Sequence, residues 1–521
     1  MTVRLWLDVE DLFEYASRNP RPSGIQRLAF EICRALQEQY ADKGLVHFVR
    51  RDFVRNDFYI INWQELATLF KGLASAPSAT VVRTHSIRPR GLIGNFLQRL
   101  VYRLSPDIRD PFLESMRLLG RAALAWIRCC GAVIRRAADL AVALPGSLRQ
   151  IGRRRDKLDA RSANDSRSGG SFTELAATGD VLLLTGAPWS DPNLPSLIRS
   201  QRARRGLRLG VLVCDLIPIR YPEWCEPGLV RLFRSWIDSI LPLCDHTFAI
   251  SRETANDVEA YAREIGVRLP RPVIPIPIGT GFGGGPPKAA AQASSGRVPA
   301  AGSYVLCVST IEVRKNHLLL FRVWRRLLQD KPPGSVPTLV FAGRVGWLVS
   351  DLMQQITNTN HLNGNLLVVE DPTDAELTAL YHGCLFTLFP SFCEGWGLPV
   401  SESLAFGKPC LIANRSSLPE AGGNLVRSFN PDNLDDAYAA IRHVIENDAE
   451  LREWATRIEH EFQPTPWSLT AEALLTALDD LPSNAAALNP GQRRNTPARA
   501  GEVSVSPWAG SAAAPPAISA Q

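Results

Sequence analysis

The stretch FTLFPSFCEGWGLPVSESLAFGKPCLIA, residues 386–413, restricts the possible folds more than any other part of the chain. Phe386 to Phe389 is a short apolar run closed by Pro390, the pattern of a strand buried on both faces. A loop follows from Ser391 to Gly397. Pro399 suits the opening of a helix, where its missing N–H is no loss and its φ is already helical. Val400 to Phe406 reads as that helix, Gly407 as its stop, and Pro409 to Ala413 as the next strand. A strand–loop–helix–strand unit of this kind belongs to a parallel α/β sheet, whose ligands bind beyond the carboxyl ends of the strands.

Two acids flank that turn eight residues apart, Glu394 in the glycine-flanked loop and Glu402, read as lying in the first helical turn. A fully helical path would separate them by about 12 Å, beyond the roughly 9.5 Å limit of a glycosidase carboxylate pair, which argues against hydrolysis. Free N–H groups at the helix start, around Gly397 and Leu398, attract an anion such as a diphosphate. A carboxylate beside bound phosphates needs donors of its own, and sugar or ribose hydroxyls supply them. Taken singly, Glu402 as a partner of the helix dipole and Glu394 as a solvated loop acid are the simpler readings. The loop glycines and flanking strands tip the balance toward a binding site.

A second constellation lies in YVLCVSTIEVRKN, where Tyr304 to Val308 reads as a strand and a helix follows from Asn316. Arg314 and Lys315 fall in the connecting loop. Two cations beside free amides form charge-assisted bonds to a diphosphate, although paired basic residues are more often a solvated surface. TLVFAG ends a further strand at Gly343, another edge of the same cleft. Near the start of the chain, Gly24 precedes a helix with apolar positions Ile25, Leu28, Ile32 and Leu36. Its turn is either an anion cradle or an ordinary cap. Asp215 follows the strand Leu207 to Cys214 and reads either as a sugar or acceptor contact or as a turn carboxylate. The formal G-x-G-x-x-G at Gly279, Gly281 and Gly284 is set aside, because Pro286 and Pro287 follow and no helix of apolar period opens there.

EGWGLPVSE resembles the Glu-x7-Glu motif of retaining glycosyltransferases of family 4, and VRKN resembles that family's Arg-Lys-Asn segment. SGIQR resembles its first strand-to-helix loop, which faces the donor across the cleft. The resemblance covers most of residues 1–480 outside one insertion and implies an α/β fold of the GT-B type, two Rossmann-like domains facing a cleft. It implies that Glu394 contacts the transferred sugar, Glu402 the nucleotide ribose, and Arg314 and Lys315 the donor diphosphate. Gly24, Ser309, Gly343, Gly397 and Leu398 join the donor-binding set, and Asp215 the catalytic one. Ser309 and Thr310 stand where some members have Gly-Arg, so one phosphate Arg is missing. Cys214 stands where a His or another polar residue commonly precedes Asp.

The implied reaction is sugar transfer with retention from a nucleotide-sugar donor to a growing surface glycan or lipid-linked acceptor. GDP-mannose is the preferred donor, by likeness to bacterial mannosyltransferases of polysaccharide assembly; a UDP- or dTDP-sugar is the runner-up. A catalytically silent scaffold of the same fold at the membrane stays open because of Cys214. No metal ligand set or cofactor motif is found, so none is expected. No nucleophile and base stand together in sequence, which leaves the departing phosphate oxygen to accept the acceptor's proton.

Ten cysteines at irregular spacing match neither a zinc pattern nor a secreted framework, and the N-terminus has no signal-type apolar region, so a cytoplasmic location is expected. No window reaches 18 uncharged apolar residues. The net charge of +6 is uneven: residues 83–161 hold 17 Lys or Arg against 6 Asp or Glu. Basic amphipathic helices there, at 111–155, either lie on an anionic membrane surface or pack on the first domain with their Arg stems over apolar neighbours. Nucleic acid is the weakest partner, since no binding motif accompanies the charge. The expected domains are 1–280 with the basic insertion at about 86–172, a linker at 281–302, a nucleotide-sugar domain at 303–465, a helix crossing back at 466–481 and a disordered tail at 482–521.

Overall fold

Among the described residues thirteen strands build two sheets, and most of the inner strands are apolar and buried along nearly their whole length, as in sheets covered by helices on both faces. In this computed structural model, residues 3–19, 21–52, 55–74, 172–281 and 296–479 are described. The basic segment at 111–155, with its proposed membrane face, and the tail at 482–521 lie outside them.

The first sheet comprises β1 (Leu5–Asp8), β2 (Val46–Asp52), β3 (Asp57–Ile61), β4 (Val181–Leu184), β5 (Arg208–Val213), β6 (His246–Ala249) and β7 (Ile274–Pro275). They lie in the order β3-β2-β1-β4-β5-β6-β7, parallel except for the β2–β3 hairpin. The second sheet comprises β8 (Tyr304–Val308), β9 (Thr338–Ala342), β10 (Leu366–Val369), β11 (Thr387–Phe389), β12 (Cys410–Ala413) and β13 (Arg427–Phe429), in the order β10-β9-β8-β11-β12-β13. Counted from its own first strand, that is the doubly wound order 3-2-1-4-5-6. Chain direction across the sheet reverses between β8 and β11, so a crevice opens beyond their carboxyl ends. Those ends lead straight into VRK and into the Ser391–Gly397 loop.

Both sheets belong to one compact unit, and together they form the expected GT-B arrangement. The Gly24–Tyr40 helix packs against the Trp467–Asp479 helix, and Trp467, Ala471, Leu474 and Leu478 join the core of the first sheet. Trp467 also donates to the Gly281 carbonyl at 2.8 Å, while Thr280 and Thr465 exchange backbone and hydroxyl bonds of 2.8 and 3.1 Å. The chain therefore crosses between the sheets twice at one place. No helix of the described residues is long and apolar enough to cross a membrane.

Three local expectations change. Arg314 and Lys315 lie in a single 3-10 turn, Val313–Lys315, rather than an open loop. The helix after the glycine loop starts at Leu398, with Pro399 beside it, because Gly397 at φ 111° supplies the left-handed turn that lets it begin early. Glu402 is consequently the fifth helical residue, past the first turn, so pairing with the helix dipole does not account for it.

Candidate active site

A cleft of 1110 Å³ lies between the sheets, lined by Gly24, Asp215, Ser309, Arg314, Lys315, Glu394, Gly397, Leu398 and Glu402 among others. Of the residues named from sequence, only Gly343 is not on its wall. It lies just behind: at φ 155° a Cβ there would stand 2.0 Å from the Ser309 carbonyl oxygen, so glycine lets β9 pass the turn that carries Ser309.

At the centre of the cleft is a cluster of buried charge. Lys315 Nζ is 2.5 Å from Glu394 Oε1, and Arg314 reaches Glu394 Oε2 at 2.9 Å and Glu312 Oε1 at 2.7 Å. Arg314 also donates to the Cys393 carbonyl, and the Lys315 ammonium sits 5.2 Å from the centre of the Phe389 ring. Burial alone would raise the Glu394 carboxyl, but Arg314 and Lys315 outweigh it and hold it down at about 2. Glu394 is therefore ionised at any physiological pH. It can accept hydroxyl hydrogens and has no proton to give. Glu312 and Asp215 move the other way, pushed up mainly by burial and drawn back in part by Arg314.

The loop that carries Glu394 is fixed from behind. Ser416 Oγ accepts its N–H at 2.8 Å, and Ser417 Oγ donates to the carbonyls of Glu394 and Trp396 at 2.8 and 2.9 Å. Both serines follow β12, in a stretch that the sequence reading passed over. Glu312, two residues before the cation pair, was also missed, although an acid so close to two cations was a legible signal. Tyr381 had none: its hydroxyl donates to Glu402 Oε2 at 2.7 Å across 21 residues of chain. Burial pushes the Glu402 carboxyl up, and the Tyr381 bond and the Arg27 charge resist.

Two helix starts converge above this cluster. The Gly24 and Leu398 helices have no side-chain cap and no acid in the first turn, and a Cβ on Gly24 would lie 3.6 Å from a Leu398 methyl. Each start presents about half a positive charge to the same part of the cleft. Asp215 accepts the Ile217 N–H at 3.0 Å, so it holds a turn as well as lining the cleft. Ser309 Oγ pairs with His317 Nε2 at 3.2 Å; burial lowers that imidazole to about 3 and keeps it neutral. The geometry can hold an anion against amides and cations, with a permanent carboxylate beside it.

Residues 292–460 match a family model described as glycosyl transferases group 1. The serotype-specific mannosyltransferase WbdA of Escherichia coli is 27% identical over 320 residues, 58% of this chain and 37% of that protein. The O-antigen chain mannosyltransferase B of Escherichia coli is 31% identical over 153 residues, 29% of this chain and 39% of that one. The chain thus spans less than two fifths of the length of these relatives. Among solved structures, Anabaena Alr3699/HepE in complex with UDP and glucose overlaps at a TM-score of 0.45 and 17% identity, covering 58% of this chain and 78% of that one. The matched residues contain the whole second sheet, both cations and both motif acids, so the likeness to glycosyl transferases group 1 falls on the half of the molecule that carries the charge cluster.

Proposed function

We propose that this chain transfers a hexose, mannose from GDP-mannose in the favoured form, to a bacterial surface glycan or lipid-linked saccharide with retention of anomeric configuration. One observation carries the reading: Arg314 and Lys315 grip Glu394 at the crossover of a doubly wound sheet, beneath two uncapped helix starts. The names of the mannosyltransferase relatives support the choice of sugar.

In the resting cluster the two cations are already balanced by Glu394 and Glu312. A diphosphate therefore competes for charges in use, and the unbalanced attraction comes from the helix starts. As the anomeric C–O bond breaks, negative charge grows on the diphosphate; Arg314 and Lys315 swing toward it and Glu394 turns to the sugar hydroxyls. Losing one donor of this kind costs about 3–4 kcal/mol of barrier. In this reading Glu402, held by Tyr381, bonds the ribose, and Asp215 contacts the acceptor or the transferred sugar. The departing phosphate oxygen takes the acceptor's proton. A UDP- or dTDP-sugar fits the same geometry. The silent scaffold rests on Cys214, a buried thiol where an imidazole is common.

Purified full-length protein should release nucleoside diphosphate from one of GDP-mannose, UDP-glucose or dTDP-glucose, and NMR should show the α-anomer in the product. Glu394→Gln and Lys315→Ala should each lower the rate roughly 10²- to 10³-fold. Undiminished turnover in both variants removes these residues from the chemistry. Complete silence toward all three donors would favour the scaffold.

A further inference from the structure

A row of aromatic rings leads outward from the Glu394 loop. Phe392, two residues before Glu394, stacks on Trp224 at 5.5 Å, and Trp224 stacks on Tyr221 at 4.5 Å, both pairs inclined by only 17°. The row crosses from the second sheet's half of the molecule to the first. It is held at its middle, where Trp347, on the wall of the cleft, donates from its indole to the Trp224 carbonyl at 2.7 Å. Ile217, Cys225 and Cys393 pack together beneath it with Trp224 against them. At the outer end Tyr221 is 38% exposed, one of few large apolar side chains so open among the described residues.

An exposed tyrosine normally loses its reason to stay in a fixed stack, because water and rotamer freedom favour release. Here the inner two rings are anchored by the backbone bond from Phe392 N to the Arg314 carbonyl at 3.0 Å and by Trp347, so the outer ring rests on a rigid base. A ring face carries the negative side of a quadrupole and is apolar. The matching ligand has flat apolar C–H faces edged with hydroxyls, which is the shape of a pyranose. Nothing charged is needed for such contact, and Tyr221 keeps a hydroxyl to bond the sugar's edge. The ring row starts in the loop of the carboxylate assigned to the transferred sugar and is held by Trp347 of the cleft wall, so a sugar resting on its outer end lies beside the cleft.

We propose that the outward face of Tyr221, backed by Trp224, is a platform for the acceptor glycan, binding a pyranose unit beyond the one that receives the new sugar. This rests on the glycosyltransferase reading. Its consequence is a preference for acceptors several sugars long over a monosaccharide.

The test is a calorimetric titration of the full chain with an α-linked mannotetraose and with methyl α-mannoside, in the unsubstituted protein, Tyr221→Ala and Tyr221→Phe. Thermal melting of each variant checks the fold; Tyr221 is exposed enough for both substitutions to be borne. The tetraose should bind more tightly than the monosaccharide. Tyr221→Ala should weaken the tetraose about fivefold, as expected for one aromatic contact, with Tyr221→Phe retaining most of the affinity. Equal binding of tetraose by Tyr221→Ala, or no binding by the unsubstituted protein, overturns the platform. Donor turnover measured alongside separates the two readings: a protein that binds tetraose through Tyr221 but consumes no nucleotide sugar keeps the platform and loses the transferase.

Discussion

Glu394 shows how neighbours set the behaviour of one residue. Its carboxyl is lower in the folded protein than in the unfolded chain, so the stability it contributes is complete above the ordinary carboxylate range near 4.5 and drains away as the pH falls toward about 2. The full difference is on the order of 3 kcal/mol. Melting temperature measured from pH 5 to pH 2.5 should therefore fall less steeply in Glu394→Gln than in the parent. The variant should also melt lower at pH 7, because Arg314 and Lys315 lose their shared counter-charge. Asp11 behaves in the opposite sense. Burial, resisted by the Ala187 N–H bond of 2.9 Å, lifts its carboxyl to about 7, so folding favours its protonated form and stability is lost as the pH rises from about 4 to about 7. An asparagine there still accepts from Ala187. Asp11→Asn should melt higher than the parent at pH 8 and close to it at pH 4, which a pair of thermal scans would decide.

Among the elements, the glycine loop is the one whose position depends most on another part of the fold. A Cβ on Gly395 would stand 2.0 Å from the Cys214 carbonyl oxygen, at the end of β5 in the other sheet. Thr254 Oγ1 donates toward both that carbonyl and the Gly395 carbonyl at 3.4 Å, and so ties the strand end to the loop. Gly395→Ala should force them apart, at about 1–3 kcal/mol. Reduced melting temperature together with lost donor turnover is the expected result; a variant that melts and turns over like the parent would show that the loop can yield. The local motif was legible because Gly397, Pro399 and Gly407 act on their own backbone. The role of Gly395 was not, because its constraint comes from a residue 181 positions earlier.

At the scale of the molecule, links across the cleft differ in worth. Arg27 pairs with Asp374, whose side chain is 48% exposed, and an ion pair so open contributes about 1 kcal/mol or less. Arg27→Ala should shift the melting temperature only slightly, and a drop of many degrees would mean that the pair governs the joining of the two halves. Glu420 does more by geometry: its two oxygens accept the Arg252 N–H at 3.0 and 3.1 Å, so an acid from the second half caps a helix start in the first. Arg27 and Asp374 line the same cleft as the charge cluster, whose walls come from both halves, so the site is a property of the assembled halves.

By itself the sequence determined what depends on near neighbours. Apolar runs of four or five residues had to be buried strands, glycine and proline had to open and close the Leu398 helix, and VRKN and EGWGLPVSE carried a resemblance that named the fold. Tertiary structure alone decided that Lys315 and Arg314 spend their charge on Glu394, that Tyr381 holds Glu402, that Ser416 and Ser417 brace the loop, and that Phe392, Trp224 and Tyr221 stack. The physical reason is range: backbone preference acts over a few residues, whereas charge pairing and ring stacking act over a few ångströms, and only folding converts distance along the chain into proximity in space.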